Sequence, residues 1–193
     1  MIKLQNNASH KSLIAIVPLL CFLMTLAGCL SVGPFHRLDT KYAEGDSTYI
    51  LNVPLIKQKA GACCGSACLA MASDYWGMGN MAKETITRLP CPEAGFSGKE
   101  LKSMANEAGL SAEIFSGNIS DLYAELLKTR PVIAMLKSQG TGFHYTLVIG
   151  FSRKDERIIL NDPGLGRVYI SVSAFKKKWR KSKNFSMLLI PLK

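Results

Sequence analysis

The first long feature along the chain is an apolar run, Leu13 to Ala27 (LIAIVPLLCFLMTLA), behind a polar start charged only at Lys3 and Lys11. Beyond it the apolar positions fall into shorter, periodic segments. Tyr49 to Leu55 reads as a short strand. From Cys64, the residues Ala67, Cys68, Met71, Ala72 and Tyr75 recur at three-and-four spacing, which predicts a helix ended by Gly77 and Gly79. Ser97-Gly98-Lys99-Glu100 is a capping box opening a second helix, with Leu101, Met104, Ala105 and Ala108 on one face and Gly109 as its stop. A third helix, about Ser120 to Thr129, takes Asn118 or Ser120 as cap and closes before Pro131. The period then becomes strand-like. Val132 to Leu136, Phe143 to Phe151, Arg157 to Leu160, Val168 to Ile170 and Phe185 to Pro191 are apolar or alternating runs. They are broken by Gly140, Gly142, the charged Arg153 to Glu156 turn, and Pro163-Gly164. Phe175 and Trp179, at i and i+4, turn inward from a helix whose outer side carries the basic run Lys176 to Lys183. Helices first and strands second predict an α+β fold, with N-terminal helices packed on a C-terminal antiparallel sheet.

The apolar run itself lies outside that core. A basic start followed by an apolar stretch is the layout of a secretory signal, which partitions into the membrane while its positive end stays inside. It ends in Leu26-Ala27-Gly28-Cys29, which resembles the lipobox of bacterial lipoproteins. That resemblance implies cleavage before Cys29, lipidation of its thiol and acylation of the new amino terminus. The alternative is an uncleaved anchor, since no charge occurs from Ser12 to Phe35, enough for the roughly 20 residues of a spanning helix. Either way the rest is exported. The expected organisation is a signal peptide over 1–28, a tether over 29–48 and one folded domain over 49–193. The expected location is the cell envelope, facing the periplasm or exterior; Leu30 after the cysteine weakly resembles outer-membrane lipoproteins of Gram-negative cells.

Composition narrows the classes further. With 193 residues, 48% hydrophobic and 20% charged, the chain is too apolar for a disordered protein and too short for a transporter. The 24 Lys and Arg against 14 Asp and Glu leave a net charge of +10. An exported protein rarely meets nucleic acid, so the basic run reads as a solvated helix face, with attraction to anionic lipid head groups as the second option. Setting aside Cys21 and Cys29, the domain keeps Cys63, Cys64, Cys68 and Cys91; of the histidines, His10 and His36 precede it and only His144 lies inside. The C-C-x3-C spacing lacks the paired C-x2-C knuckle of structural zinc, so no metal or other cofactor is expected.

Candidate chemistry centres on Cys64. A thiol at the first turn of a buried helix meets the helix dipole and unpaired NH groups, which favour the thiolate. Gly65 would let a substrate backbone approach. A nucleophilic thiolate needs a base and a group that fixes the base's tautomer. His144 is the domain's base candidate. Asp162 ends the next strand, and a hairpin turning near Arg153 to Glu156 would bring it opposite His144 or within one residue of it. Simpler roles stay open: Cys64 in a structural disulfide, His144 as a structural histidine, Asp162 as a turn former before Pro163, Gln58 as a solvated loop amide.

These residues also resemble a family, the bacteriocin-processing, double-glycine leader peptidases, which are papain-like cysteine peptidases. The resemblance covers about Val53 to Trp179. Its marks are Gln58 six residues before Cys64, the block Cys64-Gly65-x-Ala67-Cys68-Leu69-Ala70-Met71, Tyr75-Trp76-Gly77, and Pro131-Val132-Ile133-Ala134. His144-Tyr145 and Asn161-Asp162-Pro163, followed by Phe175 and Trp179, complete them. The resemblance implies Cys64 as nucleophile, His144 as general base and acid, Asp162 as orienting carboxylate and Gln58 as side-chain donor of the oxyanion hole. It departs from the family at Cys63, where an acid is common, and in having no transporter after the domain, which reads as a stand-alone form. The expected activity is a lipid-anchored endopeptidase cutting an exported polypeptide at a small-residue bond, after a double-glycine-type leader or linker. The alternative is a non-hydrolytic papain-like binding module, or an acyltransferase, serving a secretion or fibre-assembly system.

The remaining cysteines predict a bridge from Cys91, in the rigid Leu89-Pro90-Cys91-Pro92 loop, to Cys63 or Cys68, with Cys64 left free. Four free thiols are the other expectation.

Overall fold

The computed structural model describes residues 34–38, 47–59, 63–79, 90–140 and 142–192. The expected signal segment 1–28, with His10 and Cys21, and the expected lipidation site Cys29 lie outside the described residues. The helices are α1 (Cys64–Tyr75), α2 (Gly98–Glu107), α3 (Ile119–Leu127) and α4 (Val172–Trp179). The strands are β1 (His36–Arg37), β2 (Thr48–Ile50), β3 (Leu110–Ser116), β4 (Val132–Lys137), β5 (Phe143–Ser152), β6 (Arg157–Asp162), β7 (Gly166–Ser171) and β8 (Phe185–Pro191). Together they make an α+β fold around one eight-stranded antiparallel sheet, in the order β1-β7-β6-β5-β4-β8-β3. The strand β2 pairs with β5 at Ile50 and Gly150, where the pairing of β4 has run out at Val132 and Val148.

Local chemistry explains the helices. Every residue of α1 from Cys64 to Ser73 is buried, so this run of small and apolar side chains has no solvent face and lies inside, against β5. The predicted capping box at Ser97 is present, and a second one forms at the start of α3. The Ser97 hydroxyl accepts from the Glu100 NH at 3.3 Å while the Glu100 carboxylate accepts from the Ser97 NH at 2.7 Å. Asn118, not Ser120, caps α3, with Asp121 as its reciprocal partner. Phe175 and Trp179 turn into the core from α4 as their spacing predicts.

The helices and strands are more interleaved than expected. The strand β3 buries only Leu110 and Ala112, too weak an alternation to stand out; pairing with β8 along its whole length makes it a strand. The expected strand Tyr49 to Leu55 is shorter, Thr48–Ile50. Within the segment read as a tether, His36 and Arg37 pair with Tyr169 and Val168, so this stretch is docked on the sheet edge. No helix among the described residues is long and apolar enough to cross a membrane.

Candidate active site

Cys64 is the first residue of α1 and Cys63 its N-cap. Cys63 is bridged to Cys91, with Cα atoms 5.4 Å apart, while Cys64 and Cys68 are buried thiols outside any disulfide. This selects Cys63 over Cys68 as the partner of Cys91. Four residues along α1, Cys68 faces the core, where burial and the neighbouring Cys64 and Asp162 push its thiol well above the ordinary range. It stays a protonated, inert side chain.

His144 comes from β5 and Asp162 from the end of β6, and a bulge aligns them. The two residues are not opposite or one apart, as a simple hairpin would set them, but two apart. Ser152 pairs with Arg157 across the turn, and a continuous ladder from that pair would set Asp162 opposite Leu147, with His144 on the other face. The register instead shifts between Val148 and Gly150, so that Leu147 pairs with Asn161. Thr146 then comes across from Asp162. His144, two residues along, shares that face as a diagonal neighbour, its Nε2 3.0 Å from Asp162 Oδ2. The other oxygen of Asp162 accepts the NH groups of Gly164 at 2.8 Å and Leu165 at 2.9 Å. Asp162 therefore both forms the Pro163-Gly164 turn and holds the imidazole.

With Nε2 engaged by the carboxylate, Nδ1 is left for the Cys64 thiol, which hydrogen-bonds the ring. The backbone NH of Tyr145 also points at the sulfur, 3.5 Å away. Burial by itself pushes the thiol up. The hydrogen bond and charge of His144, with the NH groups of Tyr145 and Gly65, outweigh it and bring Cys64 below its ordinary value of 9.0. His144 moves the opposite way: burial would lower it, but Asp162 and Cys64 raise it to about 10. Asp162 would be raised by burial, yet His144 and the NH groups of Leu165 and Gly164 lower it. These directions favour a thiolate beside an imidazolium, oriented by an ionised carboxylate.

Gln58 sits in the loop between β2 and α1, tied to the Asp162 turn. Its NH donates to the Pro163 carbonyl at 3.1 Å, and the preceding Lys57 donates to Gly164 O at 2.8 Å. Further up the loop, the buried Asn161 amide donates to Val53 O at 3.1 Å and accepts from Arg167 Nε at 3.0 Å. Two contributors were not singled out from the sequence: the Tyr145 NH, which no side-chain pattern reveals, and Asn161 as the clamp on the Gln58 loop. Its signal was an amide beside Asp162 on an inner strand, where burial demands partners. Gly65 proves to serve packing and not substrate approach, because a Cβ there would meet Leu101 at 2.9 Å and Tyr145 at 3.3 Å.

Cys64 and His144 open into a cleft of about 860 Å³, walled by Pro92, Phe96 and Glu100 on one side and by Met135 and Phe143 on the other. The first wall follows directly on Cys91. The disulfide thus fastens it to the residue before Cys64.

Comparison with known proteins agrees with this arrangement. No curated protein matches the chain. Among solved structures, a double-glycine-motif protease from an AMS/PCAT transporter, in complex with the leader peptide, is similar at 22% identity and a TM-score of 0.58, covering 75% of this chain and 95% of its own. The peptidase domain of Streptococcus ComA, a bifunctional ABC transporter of a quorum-sensing pathway, is 17% identical with a TM-score of 0.58, over 73% and 100% of the two chains. A C39-like peptidase from Bacillus anthracis is 18% identical with a TM-score of 0.62, over 76% and 99%. At these identities the likeness shows a shared papain-like fold. The Peptidase C39 family profile matches residues 52–187, a span that holds Cys64, His144, Asp162 and Gln58, and the chain belongs to the Peptidase C39 family of cysteine peptidases.

Proposed function

We propose that this chain is a cysteine endopeptidase of the cell envelope, anchored by a lipid on Cys29, that cuts an exported polypeptide at a small-residue bond. The observation that carries the catalytic part is the hydrogen-bonded series Cys64, His144 and Asp162 opening into the cleft. In the proposed reaction the Cys64 thiolate attacks the scissile carbonyl carbon. The negative charge that develops on the oxygen is met by the Gln58 side-chain NH2 and the Cys64 backbone NH. The imidazolium of His144 gives its proton to the departing amine, leaving a thioester. His144, now neutral, takes a proton from water as the water attacks that thioester, and keeps it as the C–S bond breaks, so that the acid product leaves and the thiolate–imidazolium pair is restored. Asp162 keeps Nε2 occupied, so that Nδ1 serves the thiol throughout.

The substrate side of the reading rests on the family. A related protease binds a leader peptide in its crystal structure, and the cleft here is a groove open enough for an extended segment. The export and lipid-anchor side rests on the Leu26 to Cys29 motif behind its apolar run, and the Cys63–Cys91 bridge suits an oxidising compartment. The test is incubation of the protein with candidate exported polypeptides and mass mapping of the products. Cleavage next to small residues by wild type, with none by Cys64→Ala, is the expected result. Binding without cleavage by both would favour the non-hydrolytic module, and transfer of the acyl part to an added amine would favour the acyltransferase.

A further inference from the structure

The catalytic site leaves one large feature of the molecule unused, the basic side of α4. The last 31 residues, 163–193, carry eight Lys and Arg and no acid. Because Phe175 and Trp179 turn into the core, Lys176, Lys177, Arg180, Lys181 and Lys183 are left exposed. Among the described residues none of these five is in an ion pair. Like charges held side by side without acidic partners repel one another, which favours a binding surface of opposite sign.

The path of the chain says which surface. Pro34 lies against α4, lining a groove of about 380 Å³ with Ala174, Lys177, Lys178 and Lys181. The Phe35 ring takes the Lys178 ammonium at 5.5 Å, and His36 and Arg37 then pin the chain to β7. The entry of the chain into the domain is thus fixed beside the basic helix. On the opposite flank a second groove of about 680 Å³ is lined by Lys176, Lys177 and Arg180 together with the polar Asn118, Ser120 and Ser173. Both grooves are open and cationic, and suited to phosphate groups.

We propose that this basic face of α4 docks on anionic phospholipid head groups of the membrane to which the N-terminus leads. The proposal rests on the anchored, exported reading above. Cys29 precedes Pro34 by five residues, and five residues reach at most about 18 Å, so an anchor there holds α4 at the lipid surface. The contact is electrostatic. The aromatic residues of α4 face inward, so none is presented for insertion among acyl chains or for stacking on nucleic-acid bases. Each basic residue near an anionic surface multiplies partitioning by about fivefold, and the attraction fades within a screening length. β4 carries Met135 in the cleft and Lys137, whose carbonyl accepts from Lys178 Nζ at 3.1 Å, beneath α4. A docked domain therefore opens its cleft beside the membrane.

The test uses the full chain, purified from membranes and reconstituted in vesicles of phosphatidylcholine with or without phosphatidylglycerol. Lysines are acylated by an amine-reactive reagent and read by peptide mass spectrometry. Labelling of Lys176, Lys177, Lys181 and Lys183 is expected to fall about fivefold or more with phosphatidylglycerol and to recover at about 1 M salt. Lys99 and Lys102 on α2 are expected to label equally in both. Equal labelling of the α4 lysines in the two vesicle types overturns the proposal, as does protection that needs an added acidic protein in place of the lipid. The mass of the N-terminal peptide separates this from the anchoring reading: a lipid on Cys29 with unprotected α4 refutes docking alone, and protected α4 without that lipid refutes lipidation alone.

Discussion

Gly150 lies directly against the Tyr49 carbonyl, where a Cβ would collide, with Ile50 Cα only 3.0 Å from the same point. This contact joins β2 to β5 immediately after the bulge that turns His144 toward Asp162. The glycine therefore serves the register of the His144–Asp162 pair as well as sheet packing. Gly150→Ala is expected to destabilise by about 1–3 kcal/mol, as an overpacked site does. It should also lower turnover in the fraction that still folds. Chemical denaturation followed by activity at low denaturant checks it, and an unchanged midpoint would contradict the close approach.

The hydrogen-bonded series from Cys64 to Asp162 predicts an order of losses. His144→Ala should lose more activity than Asp162→Asn, because the imidazole moves the proton and the carboxylate only orients it. If Gln58 is the oxyanion donor proposed above, Gln58→Ala should lower kcat by about 100- to 1000-fold with little change in KM, the usual effect of removing one such donor. Steady-state kinetics on one peptide substrate decide both. Equal, small losses in all three variants would mean that the cluster is structural.

The pH dependence follows from the same contacts. Cys64 is lowered from its ordinary 9.0 and His144 raised to about 10, so the thiolate–imidazolium pair spans the range from the lowered thiol value up to about 10. Thiolate absorbance and the rate of alkylation should persist below pH 9.0, and kcat/KM should fall on the alkaline side near pH 10 as His144 loses its proton. In His144→Ala the thiol should titrate higher than in the wild type, since only the NH groups of Tyr145 and Gly65 are then left to oppose burial. The same shifts affect stability. The contribution of His144 is complete below 6.5 and lost as pH rises through about 10. That of Asp162 is present above 3.8 and lost as pH falls through its lowered value. Thermal unfolding across pH, compared with His144→Ala and Asp162→Asn, measures each.

The Cys63–Cys91 bridge closes a sequence separation of 28 residues, worth about 3–4 kcal/mol by restricting the unfolded chain. Cys63→Ser and Cys91→Ser should each lose about that much, and the double variant no more than either, because one bond is removed in all three. Turnover should also drop as the Pro92 to Ser97 wall loosens from the residue before Cys64. Additive losses in the double variant would show that the two cysteines act separately.

Much of this protein is legible in its residues because the deciding interactions are local. Capping boxes at Ser97 and Asn118, the small-residue helix from Cys64 and the inward pair Phe175 and Trp179 depend on spacings of three and four along one element, which sequence displays directly. A thiol at a helix start, a histidine on one strand and a carboxylate before Pro163 on the next are likewise visible as chemistry. What sequence did not determine is how distant elements meet. The strand β3 exists through its pairing with β8, and β1 through β7, neither of which leaves a strong periodic trace. The face on which His144 and Asp162 meet depends on one extra residue in β5, and a bulge changes side-chain direction without changing composition. The choice of Cys63 over Cys68 for Cys91 was decided the same way, by helix phase: Cys63 caps α1 at the cleft wall, and Cys68 points into the core, beyond the reach of any loop.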